Sequence, residues 1–348
     1  MIHSIKYLCF LIFGAAFLSA CSLVDEDTSD CEADYTIDYE LCLVTNMTTE
    51  LQTQLSLDTD VAVAAALRDY LSGIFTDYAH DVDLSFYDVE ADSLRLHHES
   101  HIMDANQSSY TLHIPVRKYM HLALANLANN NLLSVQTDEL CHKSTIAQDK
   151  ADTIGTHSAG LFTARLPMDI LENKDQRFDV RLYIANCASA LVLDTTGSGI
   201  KNMKVYMKGF ATDFTVCDSL FRFNYRNGKE QVVVADHVQV SEPGRICFAS
   251  VNFPSRGLED TKVIIDDDDP FVSEDAQNAL WWMDVYVKAA DGSITRSLLG
   301  VKKQLHAGQF YAVTGRITDN GTVVPKGSSV AVTVSLNWDD GIHGHVDF

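Results

Sequence analysis

The stretch 35–44 reads Tyr35-Thr36-Ile37-Asp38-Tyr39-Glu40-Leu41-Cys42-Leu43-Val44. Its larger apolar side chains recur at every second position, namely Tyr35, Ile37, Tyr39, Leu41 and Leu43. Because successive side chains of a strand point to opposite faces, these five lie on one face, which is typical of a half-buried β-strand. The stretch therefore predicts a first strand near the start of the folded chain.

Similar short apolar or alternating runs continue along the chain, separated by polar, turn-rich segments. They predict strands at 82–89, 94–98, 110–115, 119–124, 161–166, 178–184, 190–193, 203–208, 220–225, 231–234, 246–253, 281–288, 310–317 and 330–338. Many short strands at close spacing are typical of β-sandwiches, and no repeat of 20–50 residues indicates a solenoid or a propeller. The sequence therefore predicts an all-β fold.

One segment changes period and predicts a helix over residues 61–78, with Asp58, Thr59 or Asp60 as its N-cap. Its apolar stripe comprises Val61, Ala64, Leu67, Leu71, Ile74, Phe75 and Tyr78. We expect this helix to cross a sheet edge. An interfacial membrane helix is the weaker interpretation. Its one basic residue, Arg68, is accompanied by four aspartates, and anionic headgroups would repel these carboxylates.

The length and the net charge limit the number of domains and the classes of partner. The chain has 348 residues, 46% of them hydrophobic, and its 48 acidic and 26 basic side chains give a net charge of −22. A nucleic-acid partner is disfavoured, because basic residues must neutralise phosphates. The length suggests two domains. The polar segment 129–157 places their boundary near its end, which gives an N-terminal domain over 35–155 and a C-terminal domain over 156–348.

The N-terminus looks like a bacterial lipoprotein signal. Lys6 precedes a short apolar run over 7–17, and Leu18-Ser19-Ala20 leads directly to Cys21. A run of this length is too short to span a bilayer, which needs about 20 residues. We predict a signal peptide over 1–20, cleavage before Cys21, and acyl chains on its sulfur and its new amine. An ordinary signal peptide beside a coincidental cysteine is the alternative.

An acidic tether is predicted over 21–34, where Asp25-Glu26-Asp27 closely follows the cysteine. Cleavage removes one charged residue, Lys6, so the mature chain keeps 25 basic and 48 acidic side chains and a net charge of −23. A solvated linker explains the acidic run. It also resembles the signal by which Bacteroidales-type bacteria export lipoproteins to the outer surface. We therefore expect an outer-membrane, surface-exposed protein.

Six cysteines remain after the signal cysteine Cys9 and the lipidated Cys21 are set aside. They are Cys31, Cys42, Cys141, Cys187, Cys217 and Cys247. Six cysteines can form three disulfides in 15 ways, and spacing does not decide among them. A zinc site would need a pair two to four residues apart, which this set lacks. Structural cysteines that are candidates for disulfide bonds are the better interpretation.

Residues capable of metal binding or catalysis do not form a known motif. His98-Glu99-Ser100-His101 is one residue too short for the zinc-protease helix, although His97, Glu99 and His101 would share one face of a strand. The run Asp266 to Asp269 lacks the glycine of an EF-hand loop. Gly197-Ser198-Gly199 is better explained as a turn between strands. No nucleophile elbow is present, so we predict no metal, no cofactor and no enzymatic activity.

The adjacent pair Trp281 and Trp282 should lie in a strand, with one indole facing the core and the other facing outward. An outward indole could stack on a sugar or contact a partner. Simple packing is the favoured interpretation, because aromatic residues are common in strands.

Several segments resemble the fimbrillin superfamily of type V pili, most closely its FimB-like anchor subunits. The resemblance covers most of the mature chain and rests on 81–88 (Asp-Val-Asp-Leu-Ser-Phe-Tyr-Asp), 113–119 (His-Ile-Pro-Val-Arg-Lys-Tyr), 161–168 (Leu-Phe-Thr-Ala-Arg-Leu-Pro-Met) and 178–186 (Phe-Asp-Val-Arg-Leu-Tyr-Ile-Ala-Asn). Relatives often have a proline after the tether cysteine and a tryptophan near 122–126, and this chain has neither. The resemblance implies two transthyretin-like β-sandwich domains in tandem.

The resemblance further implies a lipoprotein that anchors a fimbrium and joins its stalk subunits by strand exchange. A stalk or tip fimbrillin, a glycan-binding surface lipoprotein and a metal hydrolase are the alternatives. Stalk subunits of the superfamily are released by an arginine-specific protease that cuts in the N-terminal region. This chain has no arginine or lysine from Cys21 to Leu67, and Arg68 lies inside the predicted helix. The anchor role is therefore favoured over a processed stalk subunit.

Overall fold

A computed structural model describes residues 34–44, 61–76, 79–102, 109–128, 130–136, 140–172, 174–224, 229–257, 279–326 and 330–336. The one α-helix among them, α1, spans Val61–Ile74. The strands are β1 (Asp34–Val44), β2 (Asp81–Asp88), β3 (Arg95–Ile102), β4 (Ser109–Pro115), β5 (Lys118–Ala125), β6 (Leu133–Gln136), β7 (Thr145–Gln148), β8 (Thr153–Gly155), β9 (Phe162–Asp169), β10 (Gln176–Ile184), β11 (Cys187–Asp194), β12 (Ile200–Lys208), β13 (Asp213–Thr215), β14 (Leu220–Arg222), β15 (Val232–Val234), β16 (Asp236–Val238), β17 (Arg245–Asn252), β18 (Trp281–Ala289), β19 (Ile294–Val301), β20 (Phe310–Ile317), β21 (Val323–Pro325) and β22 (Val330–Leu336). The predicted all-β fold is confirmed.

The described strands form four sheets. A seven-stranded sheet has the order β3-β2-β5-β9-β10-β1-β4, and a four-stranded sheet has the order β14-β13-β7-β6. A five-stranded sheet has the order β16-β17-β11-β20-β21, and a six-stranded sheet has the order β22-β19-β18-β12-β15-β8. Most neighbours are antiparallel, but β1 runs parallel to β10, β11 to β20, and β15 to β8.

The five-stranded sheet is covered on both faces. Ala188, Ala190 and Val192 of β11 join a core formed with the seven-stranded sheet and α1. The alternate residues Leu191 and Leu193 join a second core with the six-stranded sheet. Because successive strand residues face opposite ways, one strand serves both cores.

The helix α1 packs into the first of these cores. It buries Val63, Leu67, Leu71 and Ile74, and the Tyr70 hydroxyl donates to Asp236 Oδ2 at 3.0 Å at the start of β16. The helix ends four residues before the predicted end at 78, and the Ile74 carbonyl accepts a hydrogen bond from the Gly160 amide at 2.9 Å. No helix in the described part of the chain is long and apolar enough to cross a bilayer.

The predicted division at 155/156 does not separate the sheets from one another, because both sides of it contribute strands to the same sheets. Strands β9 and β10 follow it in sequence, yet they pair with β5 and β1 in the seven-stranded sheet. Strands β7 and β8 precede it, yet they pair with β13 and β15. The polar segment 129–157 therefore contains three short strands, whose three or four residues are too few to show a period.

Strand β19, which lies between β18 and β22, was not predicted from the sequence. Its residues Thr295, Arg296 and Ser297 are polar, which hides the apolar pattern, yet all three are buried. Arg296 is buried because it pairs with Asp284 of β18: Nε lies 2.8 Å from Oδ1, and a second guanidinium nitrogen lies 2.7 Å from Oδ2. Lys208 Nζ of β12 lies 3.1 Å from the same Oδ2.

Through these ion pairs, the buried Asp284 carboxylate links the adjacent strands β12, β18 and β19. Burial acts to raise the pKa of Asp284, but the charge of Lys208 and the hydrogen bonds from Arg296 outweigh it and hold the pKa below its ordinary value. The ionised form is therefore the one built into the fold.

We predict that Asp284→Asn lowers the free energy of unfolding by about 3 kcal/mol, because it removes the negative charge that faces the buried Arg296 and the partly buried Lys208. The matched control is Asp179→Asn, whose carboxylate also contacts an arginine, Arg177, but is 73% exposed. The control should change the free energy by less than about 1 kcal/mol. Denaturant unfolding of both variants measures the difference, and equal small effects would contradict the role assigned to Asp284.

Candidate functional site

The N-terminal strand β1 lies inside the seven-stranded sheet rather than at its edge. It pairs in parallel with β10 from Ile37↔Gln176 to Val44↔Tyr183, and antiparallel with β4 from Asp34↔Pro115 to Glu40↔Ser109. Ile37 is fully buried, and Glu40 forms an ion pair with Arg177 of β10. The strand predicted from the alternation over 35–44 is thus present, with neighbours on both sides.

The predicted lipid-attachment residue Cys21 and the tether over 21–34, except Asp34, lie outside the described residues, as do Cys31 and the run Asp266 to Asp269. The described cysteines occupy different environments. Cys42 is exposed on β1, Cys187 and Cys247 are buried on β11 and β17, and Cys141 and Cys217 lie near the four-stranded sheet. The Sγ atoms of Cys141 and Cys217 are 2.7 Å apart.

The histidine cluster lies on β3, an edge strand of the seven-stranded sheet. His97 Nε2 is 2.6 Å from Glu99 Oε1, and His101 Nε2 is 2.7 Å from Glu99 Oε2, so these three residues share one face as the spacing predicts. Burial acts to raise the pKa of Glu99, but the two histidine hydrogen bonds outweigh it and lower the pKa. Both carboxylate oxygens are therefore engaged by histidines. No group of three residues in the described ranges has a metal-binding arrangement.

Neither indole of the tryptophan pair is exposed. Trp281 is fully buried and donates its Nε1–H to the Lys303 carbonyl at 2.9 Å. Trp282 points to the opposite face, as the alternation predicts, but is only 8% exposed. The Arg256 guanidinium lies 5.1 Å from its ring centroid, and Leu298 packs beside it. The hypothesis of an outward indole open to a sugar is therefore wrong for this face.

Gly197-Ser198-Gly199 forms the turn between β11 and β12, as predicted. The Ser198 amide donates to the Thr195 carbonyl at 3.0 Å. Gly197 adopts a φ of +83°, which glycine reaches without steric cost.

Polar side chains form a buried series of hydrogen bonds that was not predicted from the sequence. The Leu161 amide donates to Asn186 Oδ1 at 2.6 Å, and Asn186 Nδ2 donates to His157 Nδ1 at 2.8 Å. His157 Nε2 then donates to Gln148 Oε1 at 2.8 Å, and Gln148 Nε2 donates to Gln231 Oε1 at 2.8 Å. This series of hydrogen bonds links the segments beside β9 and β10, in the seven-stranded sheet, to Gln148 on β7 and to Gln231, the residue before β15. Its members are far apart in sequence, so no local motif indicates it.

This series of hydrogen bonds ends at a small polar cavity of about 90 Å³. The lining residues are Gln148, Asp149, Lys150, Ala151, Asp152, Thr212, Asp213, Asn224, Lys229 and Gln231. Gln231 Nε2 also donates to the backbone carbonyls of Asp149 and Ala151, both at 2.7 Å. Gln148 and Gln231 thus use their amides to hold the cavity wall together.

Two histidines are buried in the neutral state. His121 stacks on Phe86 with ring centroids 4.2 Å apart, and its Nδ1 donates to the Ser85 carbonyl at 3.1 Å. Burial lowers the pKa of His121 to about 4 and that of His157 to about 3.

Comparison with known proteins finds no matching family model and no significantly similar curated protein. The chain is similar in structure to a candidate polysaccharide-binding protein (DUF1812) from Bacteroides thetaiotaomicron, with 9% identity and a TM-score of 0.48 over 85% of this chain and 97% of that one. It is similar to a candidate adhesin from Bacteroides ovatus, with 9% identity and a TM-score of 0.48 over 78% and 84%. It is also similar to the tip fimbrial protein Mfa3 from Porphyromonas gingivalis, with 9% identity and a TM-score of 0.40 over 88% and 100%.

We predict that the protein loses stability as the pH falls from about 6.5 towards 4. The unfolded chain binds protons at His121 and His157 in this range, whereas the folded chain excludes them, so protonation favours unfolding. His121 alone should account for about 3 kcal/mol across this window. Denaturant unfolding at several pH values measures the slope.

The variant His121→Phe keeps an aromatic ring on Phe86 and removes the titrating group. Its slope of unfolding free energy against pH should be smaller by about one proton between pH 4 and 6.5. His142→Phe, at an exposed position, controls for the added phenyl ring. An unchanged slope in His121→Phe would show that His121 is not the group responsible.

Proposed function

We propose that this protein is a non-enzymatic lipoprotein that anchors a fimbrium to the outer membrane and joins stalk subunits by strand exchange. The single observation that carries the anchor role is the position of β1. This strand follows the predicted tether directly and is an interior strand of the seven-stranded sheet. A lipid on Cys21 would therefore be connected by a short peptide to a strand held on both sides.

The length of the tether sets how far the folded body can stand from the membrane. Thirteen peptide links separate Cys21 from Asp34, the first residue of β1. A fully extended chain of this length spans at most about 45 Å. The tether is acidic, so its residues repel one another and the like-charged headgroups.

The absence of basic residues from Cys21 to Leu67 supports an anchor over a processed stalk subunit. Arg68, the first candidate for arginine-specific cleavage, lies in the middle of α1 next to the fully buried Leu67. A cut there would separate β1 from the body and leave β10 and β4 without their shared neighbour. An uncut chain keeps this place in the sheet filled and keeps its connection to the lipid.

Joining to the polymer requires strand edges that can accept or donate a strand. Among the described strands, β22 lies at one edge of the six-stranded sheet and pairs with β19 from Val301↔Val330 to Thr295↔Leu336. Backbone amides and carbonyls at such an edge supply affinity for an added strand. This edge is our candidate for the contact with a stalk subunit.

Cys21→Ala should release the protein from the membrane fraction, because it removes the acyl chains and leaves a body of strongly negative charge. Fractionation of cells producing the variant measures this, and fimbriae should appear in the medium at the same time. Cys31→Ala, ten residues along the same tether, is the matched control and should remain attached. Membrane retention of Cys21→Ala would contradict the lipid anchor.

Asp27→Arg should make the anchored protein releasable by an arginine-specific protease added to intact cells, because it places an arginine in the tether ahead of β1. The released body should begin at residue 28, and mass analysis identifies it. The unmodified protein should stay attached, with an intact N-terminus at acylated Cys21. A native species beginning at Asp69 would instead identify a processed stalk subunit, the alternative role.

A further inference from the structure

We propose that Cys141 and Cys217 form a disulfide bond in the mature protein. Their Sγ atoms are 2.7 Å apart, closer than the roughly 3.5–4 Å at which non-bonded heavy atoms pack. A disulfide needs about 2.05 Å, so a small side-chain movement is enough to close the bond. The two residues are 76 positions apart in sequence, which is why spacing alone does not reveal the pair.

The backbone on both sides brings the two cysteines together. Strands β7 and β13 pair with Thr215 opposite Thr145, and the Val216 amide continues the ladder to the Ser144 carbonyl at 3.1 Å. Both cysteines therefore lie just beyond the same end of this strand pair.

Each cysteine is also held in a tight turn. The Ser144 amide donates to the Cys141 carbonyl at 3.1 Å, and the Cys141 amide donates to the Ser93 carbonyl at 3.1 Å. On the other side, the Ser219 amide donates to the Val216 carbonyl at 3.2 Å across Cys217. Backbone hydrogen bonds thus hold the two segments that carry the sulfurs.

The two buried cysteines Cys187 and Cys247 are not placed to pair with each other. Cys187 and Cys247 lie on adjacent strands, but Cys187 pairs with Asn252 and Cys247 with Val192, five positions along the ladder. Their side chains also belong to cores on opposite faces of the sheet. Cys187 Sγ donates to the Phe253 carbonyl at 3.2 Å.

The reaction is a thiol–disulfide exchange with an oxidised thiol–disulfide oxidoreductase. Cys217, the more exposed thiol, loses a proton, attacks one sulfur of the enzyme's disulfide and releases the enzyme's other cysteine as a thiolate. Cys141 Sγ then loses its proton, attacks Cys217 Sγ and releases the second enzyme thiolate. The two cysteines are oxidised by two electrons, and the enzyme's disulfide is reduced to a dithiol that takes up two protons.

This inference rests on the export that the proposed function includes, because disulfides persist in oxidising compartments. Burial raises the pKa of the Cys141 thiol, as does its hydrogen bond with Cys217. Once formed, the bond would join the turn beside β7, which contacts the β2–β3 connection through Ser93, to the β13–β14 hairpin.

Peptide mapping tests the bond directly. Protein is taken from the outer-membrane fraction of cells, its free thiols are alkylated under denaturing conditions, and it is digested with trypsin without reduction. The sequence places Cys141 alone in peptide 119–143 and Cys217 alone in peptide 209–222. We expect these two peptides to be linked, while peptides 182–201 and 246–256 carry alkylated Cys187 and Cys247.

Alkylation of both Cys141 and Cys217 in membrane-attached protein would overturn the disulfide and leave the anchor role intact. Linked peptides in protein found outside the membrane fraction would support the disulfide and overturn the anchor.

Stability gives a second measurement. The double variant Cys141→Ser/Cys217→Ser should melt roughly 10 °C below the native protein, because the unfolded chain regains the freedom of a long loop. Cys42→Ser, at an exposed position, is the control and should melt with the native protein. Adding a reductant should lower the native melting temperature to that of the double variant. Insensitivity of the native protein to reductant would contradict the bond.

Discussion

The structure depends on burying both faces of the five-stranded sheet. Strand β11 is buried from Cys187 to Leu193, which is unusual for a strand of an isolated sandwich, where one face meets solvent. On one face, alanines at 188 and 190 of β11 and at 249 of β17 belong to the same core as α1, where small side chains allow close approach. On the other face, larger residues fill the core shared with the six-stranded sheet. Removing the seven-stranded sheet and α1 would uncover one apolar face of this sheet, and removing the six-stranded sheet would uncover the other.

This shared layer explains why the chain does not divide into separate sheets at a single point in sequence. The connection from β10 to β11 passes through Ala185 and Asn186, both buried, rather than through an exposed linker. Asn186 also starts the series of side-chain hydrogen bonds through His157 to Gln148, which links the β10–β11 connection to β7. Hydrophobic burial thus holds the layers together, while the polar chain fixes their register, since each of its donors needs a particular acceptor.

Local patterns predicted the elements whose side chains follow a clear period. The strand at β1, the helix α1 and the paired tryptophans of β18 belong to this class. Strand β19 was not predicted, because its Arg296 is buried through an ion pair with Asp284 of β18. The local sequence around Arg296 does not indicate this ion pair. Two further contacts are also long-range in sequence. The Arg256 guanidinium packs over the Trp282 ring, and Cys141 Sγ lies close to Cys217 Sγ. Among candidate site residues, the shared face of His97, Glu99 and His101 followed from strand geometry, whereas their mutual hydrogen bonds did not.

The parallel pairing of β1 with β10 has a mechanical consequence. Ladder hydrogen bonds run across the strands, so a force applied to the N-terminal end of β1 along its axis loads the bonds to β10 and β4 together. Such shear must break many bonds at once, whereas a force across an edge strand peels them one by one. Strand β1, the first strand in the described part of the chain, is therefore placed to bear tension, and stretching should extract it only at higher force than is needed to peel β22 from its edge.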